Sequence, residues 1–575
     1  MIALPSVIRI LSAPDTSDCV RYAEEELIRW LEKAGVSAVP GGSDMSGFCL
    51  ALDDAAPGLP GGSFRRTASQ NRILLEASEG CGVIYGCYDL LEDLGFRFLT
   101  SDCVTVPSVL CPLEEGVLEE VPAFRGREVF WRDAMDGAFA VRLRLNSARS
   151  TITPGQGGRL MFYNFSHSFD SLVPVSRWFD SHPEYFSMRG GIRIREKTQL
   201  CLSNPEVLAL CISGVRRWIR ENPDCRIFSV SMNDWYNPCE CPSCRAVDEA
   251  EGSSAGSVIR FVNAVADDIA ADYPDVMLHT FAYLYCRKPP KITRPRKNVI
   301  VRLCSIECCY SHPIDECGRE RGGIDVQNGS AANFSESSPS ADSFPDDLRG
   351  WSEICDNLFI WDYTTNYANY LLPFPNLNVL QPNLRFFRSM GVSGVLEQGN
   401  FSHGKCSALG QLKTYMLGKL LWDPDQDSDA LIRDFAEGYY GPASGPMVRY
   451  IRLWRNAAGP CHAGIYDMPD ADYLTDSLLR EARGLLEEAL ALSEGAPFRE
   501  RVEREALSVR YAELTREDPV APDHSRAVDD FMDDAHRLGI TELFERKDFE
   551  ASAEVLKTQR YVRDRSRVPS VSYPI

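Results

Sequence analysis

A chain of 575 residues is too long for one ordinary domain and leaves room for roughly two to four, or for one barrel with attachments. Hydrophobic residues make up 44% and charged residues 25%, as in a soluble globular protein, and no apolar run approaches the roughly 20 residues of a membrane span. A net charge of −21 opposes nucleic-acid binding, because phosphates must be met by basic groups.

The N-terminal run MIALPSVIRILSAP has neither a basic region nor a small-residue cleavage site, so the expectation is a cytoplasmic protein or one whose leader has been removed. Without a leader, the 20 cysteines read mainly as buried thiols rather than disulfides.

The first segment has an α/β pattern. An apolar stretch, Val7 to Leu11, precedes YAEEELIRWLEKAG, where Tyr22, Leu27, Trp30 and Leu31 form one helical stripe ended by Gly35. RILLEAS (72–78) reads as a strand, and GVIYGCYDLLEDLGFRFL (82–99) as a helix with a short strand behind it. Pro107, Pro112 and Pro122 mark a linker over 105–122, which predicts an N-terminal α/β domain over 1–115.

From Phe124 onward, short apolar strands alternate with longer stretches. They are REVFW (127–131), VRLRLN (141–146), RLMFYNF (159–165), RIFSVSM (226–232), VMLHTFAYLY (276–285), NVIVRLC (298–304), NLFIWDY (357–363) and GVSGVLEQ (391–398). Helical patterns at 205–221 and 257–273 fall between them. Eight such strands predict a (β/α)8 TIM barrel over 116–424; the alternative, an open doubly wound sheet, lacks a glycine-rich phosphate loop. The polar stretch 318–346 reads as a loop above the barrel. Beyond Pro424 the stripes turn helical, predicting an α-helical domain over 425–575 that can dimerise or close the cleft. No internal repeat is visible.

Barrel chemistry sits at the C-terminal ends of the strands. The third strand runs into Asn164 and His167, and the fourth into Asn233, Asp234, Trp235 and Tyr236. The fifth carries Tyr283 and the sixth Arg302. The seventh ends in Trp361, Asp362 and Tyr363, and the eighth in Glu397 and Gln398. Acids, an arginine and aromatic rings at strand ends describe a carbohydrate pocket, since sugars offer hydroxyls and an apolar C–H face. Glycoside hydrolysis needs an acid for the leaving oxygen and a second group for the anomeric centre. Asp234 and Glu397 are expected to face each other across the mouth; the alternative is that each carboxylate pairs with an arginine and serves only the fold. His182 and Tyr185, in HPEYF, are either sugar contacts or a packed aromatic pair in a turn.

Cys239, Cys241 and Cys244 form C-x-C-x2-C after the fourth strand, a spacing that suits structural zinc if a fourth ligand arrives. Cys304, Cys308, Cys309 and His312 are the candidate donors. No cofactor is expected to be needed for catalysis.

Several long runs, FDSHPEYFSMRGG, QLCLSNPEV, FSVSMNDWYNPCECPSC, FAYLYCRKPPK, NVIVRLCSIECCYSH, FIWDYTTNYANYLLPFPN and GVLEQG, together resemble the DUF4838 proteins over residues 120–420. YAEEEL and GVIYGCYDLLEDLGFRFL are similar to the α/β domain preceding the barrel in α-glucuronidases and hexosaminidases. The resemblance implies a glycoside hydrolase acting on an oligosaccharide or glycan. Part of the group is assigned to glycoside hydrolase family 163, endo-β-N-acetylglucosaminidases of N-glycans, similar to enzymes whose substrate acetamide attacks the anomeric carbon. Asn233 would then hold the acetamide, Asp234 would be the acid, and Glu397 would assist. In the α-glucuronidase-like alternative Glu397 activates water. His167, His182, Tyr185, Trp235, Tyr283, Arg302, Trp361, Asp362 and Gln398 are the expected sugar contacts. A non-catalytic carbohydrate-binding barrel is the competing class.

Overall fold

The computed structural model describes residues 1–13, 15–41, 47–317, 343–402, 405–545 and 548–558. Most of the predicted loop at 318–346 lies outside them. Its last residues begin the helix Phe344–Ser352, whose N-cap Ser343 accepts from the Asp346 N–H.

The N-terminal unit is a six-stranded sheet in the order Ser37–Gly41, Val7–Leu11, Cys49–Asp53, Arg72–Glu76, Phe64–Ser69, Gly116–Glu120. The first four run parallel, and Phe64–Ser69 is antiparallel to its neighbours on both sides. Helix Asp18–Lys33, N-capped by the Ser17 hydroxyl, buries Val20, Leu27, Trp30 and Leu31, the faces its 3.6-residue period aligned. Strand Gly116–Glu120 falls inside the predicted linker, so the first sheet runs five residues past 115.

A buried charge cluster joins this unit to the rest of the chain. Arg144 lies 3.1 Å from Asp89 and 2.7 Å from Glu92, and Lys419 also pairs with Glu92. Burial pushes the Asp89 carboxyl up to about 6 despite Arg144 and Arg66. Burial opposes ionisation of Glu92 too, but Arg144 and Lys419 outweigh it and hold that carboxyl below its usual value.

The central layer is a curled, wholly parallel sheet of seven strands. Their order is Phe162–Tyr163, Ile227–Ser229, Met277–Ala282, Val299–Cys304, Leu358–Tyr363, Gly394–Gln398, Gly126–Phe130. The expected strand at 141–146 is not one. Asp136 caps a helix, Gly137–Arg142, and the chain then turns through Arg144 at φ +57°. Residues 146–148 instead lie between the two outer strands. Asn146 accepts from the Arg127 N–H at 2.8 Å and Ser147 from the Val129 N–H at 3.1 Å, while the Leu160 N–H donates to the Asn146 carbonyl at 3.0 Å.

Strand parity decides which residues face the hollow of this sheet. Arg302 marks the inner face: it reaches Glu128, three strands away, at 2.9 Å and is boxed by the rings of Phe162, Phe165, Phe359 and Trp361. Arg127 marks the outer face, packing on Tyr85 of helix Gly80–Asp93 and on Trp422 of helix Gly410–Trp422. Helices from Ser428–Tyr440 to Phe549–Thr558 build the C-terminal part as the stripes predicted. No helix among the described residues is long and apolar enough to cross a membrane.

Candidate active site

A partly exposed carboxylate, Asp234, stands at the C-terminal mouth of the curled sheet. Asp234 follows strand Ile227–Ser229, with 38% of its side chain accessible. The Tyr283 hydroxyl, just beyond strand Met277–Ala282, donates to Asp234 Oδ1 at 3.2 Å. His167 Nε2 lies 3.9 Å from the same oxygen. The His167 Nδ1–H is taken by the Met232 carbonyl at 2.9 Å, which turns Nε2 toward Asp234. Burial, then the charge of Asp234, raises the Tyr283 phenol well above its ordinary value, so it stays a donor at neutral pH. Asn164, His167 and Leu284 carry left-handed φ of +50°, +52° and +48° around this group, strain of the kind stored where side chains must be aimed.

Aromatic rings continue from there into the mouth. His167 packs on Phe281 at 5.3 Å, Phe281 on Trp361 at 5.7 Å, and Trp361 on Phe165 at 5.7 Å. Trp361 Nε1 donates to Gln398 Oε1 at 2.6 Å. Phe401 stacks on Phe130 at 4.7 Å, and the exposed Arg149 lies over Phe130 and Phe165 at 5.3 and 5.0 Å. Such a surface offers ring faces to a sugar and a cation to an acidic one.

Several expected contacts fall elsewhere. Asp362 and Glu397 have the parity opposite to Arg302, so both carboxyls lie on the helix-facing side and Glu397 does not face Asp234. They are register partners on neighbouring strands. Burial pushes Asp362 up to about 6, although Ser305 and the Tyr363 N–H hydrogen-bond it. Burial and then the Asp362 charge push Glu397 well above its usual value, and the buried Glu397 Oε2 has no hydrogen-bond partner among the described residues. Arg302 is the floor beneath the mouth rather than a sugar contact, being fully buried on Glu128.

Asn233 uses its amide to brace the loop. Its Oδ1 accepts from the Asp170 N–H and its Nδ2 donates to the Thr198 carbonyl, each at 3.0 Å, which leaves it poorly placed to hold an acetamide. Gln199 donates to the Asn233 and Trp235 carbonyls at 2.7 and 2.6 Å, fixing Trp235 under the Lys197 ammonium. His182 stacks on Tyr185 at 4.6 Å, and Tyr185 donates to Glu206 at 2.6 Å. That is the packed aromatic pair, bonded to its own turn and to helix Pro205–Glu221.

Glu307 is the acid that strand-end reasoning missed. It lies in the loop after strand Val299–Cys304, almost buried, 3.0 Å from Arg287, and its charge reaches Tyr283 as Asp234's does. Its signal was the odd spacing of SIECC beyond a strand end.

The fourth partner of the C-x-C-x2-C cluster is Cys201, not Cys304, Cys308, Cys309 or His312. The sulfurs of Cys201, Cys239, Cys241 and Cys244 all lie within 4.8 Å of one another and are buried. The Met188 N–H and the Arg193 guanidinium approach Cys239 Sγ at 3.4 and 3.5 Å. Hydrogen bonds from Cys239 and Cys244 favour the Cys201 thiolate.

Residues 98–452 match the model of the Domain of unknown function DUF4838, more than half of the chain. The chain belongs to the DUF4838 family. The matched segment starts at strand Arg97–Thr100 and takes in the whole seven-stranded sheet. No curated protein sequence matches this DUF4838 protein. Among solved structures it is similar to a family GH115 4-O-methyl-α-glucuronidase with specificity for decorated arabinogalactans, with a TM-score of 0.58 and 9% identity over 92% of this chain and 76% of that one. It also matches a GH138 enzyme targeting pectin rhamnogalacturonan II (TM-score 0.47, 10% identity, 96% and 98% covered). A third match is CpGH84B (TM-score 0.44, 10% identity, 96% and 97% covered). At such identity the GH115 likeness speaks for the fold.

Proposed function

We propose that this DUF4838 protein is a glycoside hydrolase in which Asp234 protonates the leaving glycosidic oxygen. The observation that carries the reading is the Tyr283–Asp234–His167 group at the mouth of the parallel sheet, beside the Trp361–Gln398 pair. Within that reading the sheet serves as a (β/α)8-type scaffold whose second strand has been replaced by the segment at 146–148.

The substrate we favour is a β-N-acetylglucosaminide in an oligosaccharide, as the likeness to family 163 implies. Asp234 is the single half-exposed carboxylate of the Tyr283–His167 group, while Glu397 lies on the other face. That suits a mechanism in which the substrate's acetamide oxygen attacks the anomeric carbon. Asp234 gives its proton to the departing oxygen and later takes one from the water that opens the cyclic intermediate. Tyr283, kept protonated, supplies a hydrogen bond to Asp234. Zinc held by Cys201, Cys239, Cys241 and Cys244 would have a structural role, tying down the loop that carries Asp234 five residues before Cys239.

A second reading, an α-glucuronidase-like enzyme, is favoured by Arg149. It is exposed over two mouth rings, where a uronate carboxylate would pair with it. Glu307 would then be the second carboxylate.

Purified protein incubated with a panel of aryl glycosides, N-glycan oligosaccharides and glucuronides tests both, with Asp234→Asn run beside it. Release from N-acetylglucosaminides by wild type alone supports the first reading, and release from uronides lost in Arg149→Met supports the second. Full activity of Asp234→Asn overturns the assignment. Thermal stabilisation by a sugar with no turnover across the panel would make the protein a binding barrel.

A further inference from the structure

A second group of soft donors stands apart from the mouth and from the four-cysteine cluster. Cys309, His312 and Cys317 follow strand Val299–Cys304, and His462 lies between helices Ser444–Arg455 and Asp476–Leu492. One ligand atom from each lies within 4.8 Å of every other. Cys309 Sγ is 3.3 Å from His312 Nδ1 and 3.3 Å from His462 Nδ1, and Cys317 Sγ is 3.5 Å from His462 Nδ1. A tetrahedral zinc ion with Zn–S near 2.3 Å and Zn–N near 2.05 Å sets its sulfur and nitrogen ligands about 3.5 Å apart. The spacing already matches.

Two imidazole Nδ1 atoms converge on the one Cys309 sulfur, as they would around an ion that the sulfur shares with them. The His312 Nε2–H is used by the Gly459 carbonyl at 2.9 Å, so in the neutral ring Nδ1 is a bare lone pair aimed at the sulfurs. A backbone carbonyl orienting the far ring nitrogen is the usual support of a metal-bound histidine. Two thiolates with two imidazoles select zinc over hard cations.

We propose that Cys309, His312, Cys317 and His462 form a Cys2His2 structural zinc site that staples the loop after strand Val299–Cys304 to the segment entering the C-terminal helices. The two segments already run together there. The Tyr310 N–H donates to the Ala463 carbonyl at 2.9 Å, the Ser311 hydroxyl to the Cys461 carbonyl at 2.8 Å, and the Ala463 N–H to Ser311 Oγ at 3.0 Å. The staple therefore holds together parts of the chain about 150 residues apart, where closing so long a loop constrains the unfolded chain most. Its ligands are distinct from Cys201, Cys239, Cys241 and Cys244, and the inference does not depend on the glycosidase reading.

The test is metal analysis of full-length protein purified from zinc-supplemented cells, with three variants. Cys309→Ser/His462→Ala is expected to lose one equivalent of zinc per chain relative to wild type. His462→Cys, which exchanges one good ligand for another, is expected to keep wild-type content and melting temperature. Cys239→Ser/Cys244→Ser is expected to retain the equivalent that Cys309→Ser/His462→Ala loses. Zinc content unchanged in Cys309→Ser/His462→Ala, or a wild-type protein without zinc, overturns the site. Should the double variant not fold, cobalt reconstitution of chelator-stripped wild type decides. Absorption of a tetrahedral two-thiolate, two-nitrogen cobalt centre supports the site, and a four-thiolate spectrum alone overturns it.

Discussion

Arg302 and Glu128 meet at 2.9 Å across the hollow of the parallel sheet, three strands apart and both almost wholly buried. Four aromatic rings surround the guanidinium, so the pair sits in a low-dielectric floor directly beneath the mouth. Removing one partner leaves an uncompensated buried charge, which costs about 3–5 kcal/mol, whereas replacing both with apolar groups is close to neutral. Glu128→Ala should therefore lower unfolding stability in urea by that amount, and Glu128→Leu/Arg302→Met should restore most of it.

The same pair fixes the facing of Asp362 and Glu397. Glu397 lies one residue beyond Leu396, the register partner of Glu128, and so points to the helices. Glu397→Gln should keep turnover within a few-fold of wild type. Asp234→Asn should lose about 10²–10⁴-fold, the usual contribution of general acid–base catalysis. Rate assays on both variants, with circular dichroism to check folding, measure the contrast.

Much of this architecture was legible in the sequence, and the failures have physical causes. Apolar runs located the seven strands of the central sheet because parallel strands buried on both faces need no alternation. That lack of alternation also hid parity. EVFW and VLEQ do not say which side chain looks inward, so Glu397 and Asp362 read as mouth residues. VRLRLN alternates like a strand, yet Asp136 caps a helix over its first residues and Arg144 turns out of it. In the N-terminal sheet, strands Ser37–Gly41 and Phe64–Ser69 give little signal because they are short and rich in alanine, glycine, serine and arginine, and Cys49–Asp53 because it is only five residues long. Cys201 stands nearly forty residues before its partners, and His462 about 145 after Cys317, so only the fold assembles either cluster.

Tyr283 should matter to rate more than to binding. Its hydroxyl is buried and donates to Asp234, so it shapes the acid rather than the sugar subsites. Tyr283→Phe should lower kcat about tenfold, the worth of one hydrogen bond to a charged group, with KM little changed. It should also move the alkaline limb of the pH–rate profile to higher pH, because the acid loses a donor to its ionised form, whereas a purely structural loss would leave that limb in place.

Asp362 gives the protein a pH-dependent weakness unrelated to catalysis. Its folded-state pKa of about 6 exceeds the unfolded value of about 3.9, so the folded state binds this proton more tightly. The stability it contributes is full below about pH 4 and is lost as pH rises through about 6. The shift is drawn from burial of the Asp362 charge beside Glu397. An amide at this position still accepts from the Ser305 hydroxyl and the Tyr363 N–H but carries no charge to bury. Asp362→Asn should therefore melt higher than wild type at pH 7, with the two curves converging near pH 4. Thermal melts at half-unit steps from pH 4 to pH 8 read the difference directly. Curves that run parallel across that range would show that Asp362 titrates normally in the folded protein.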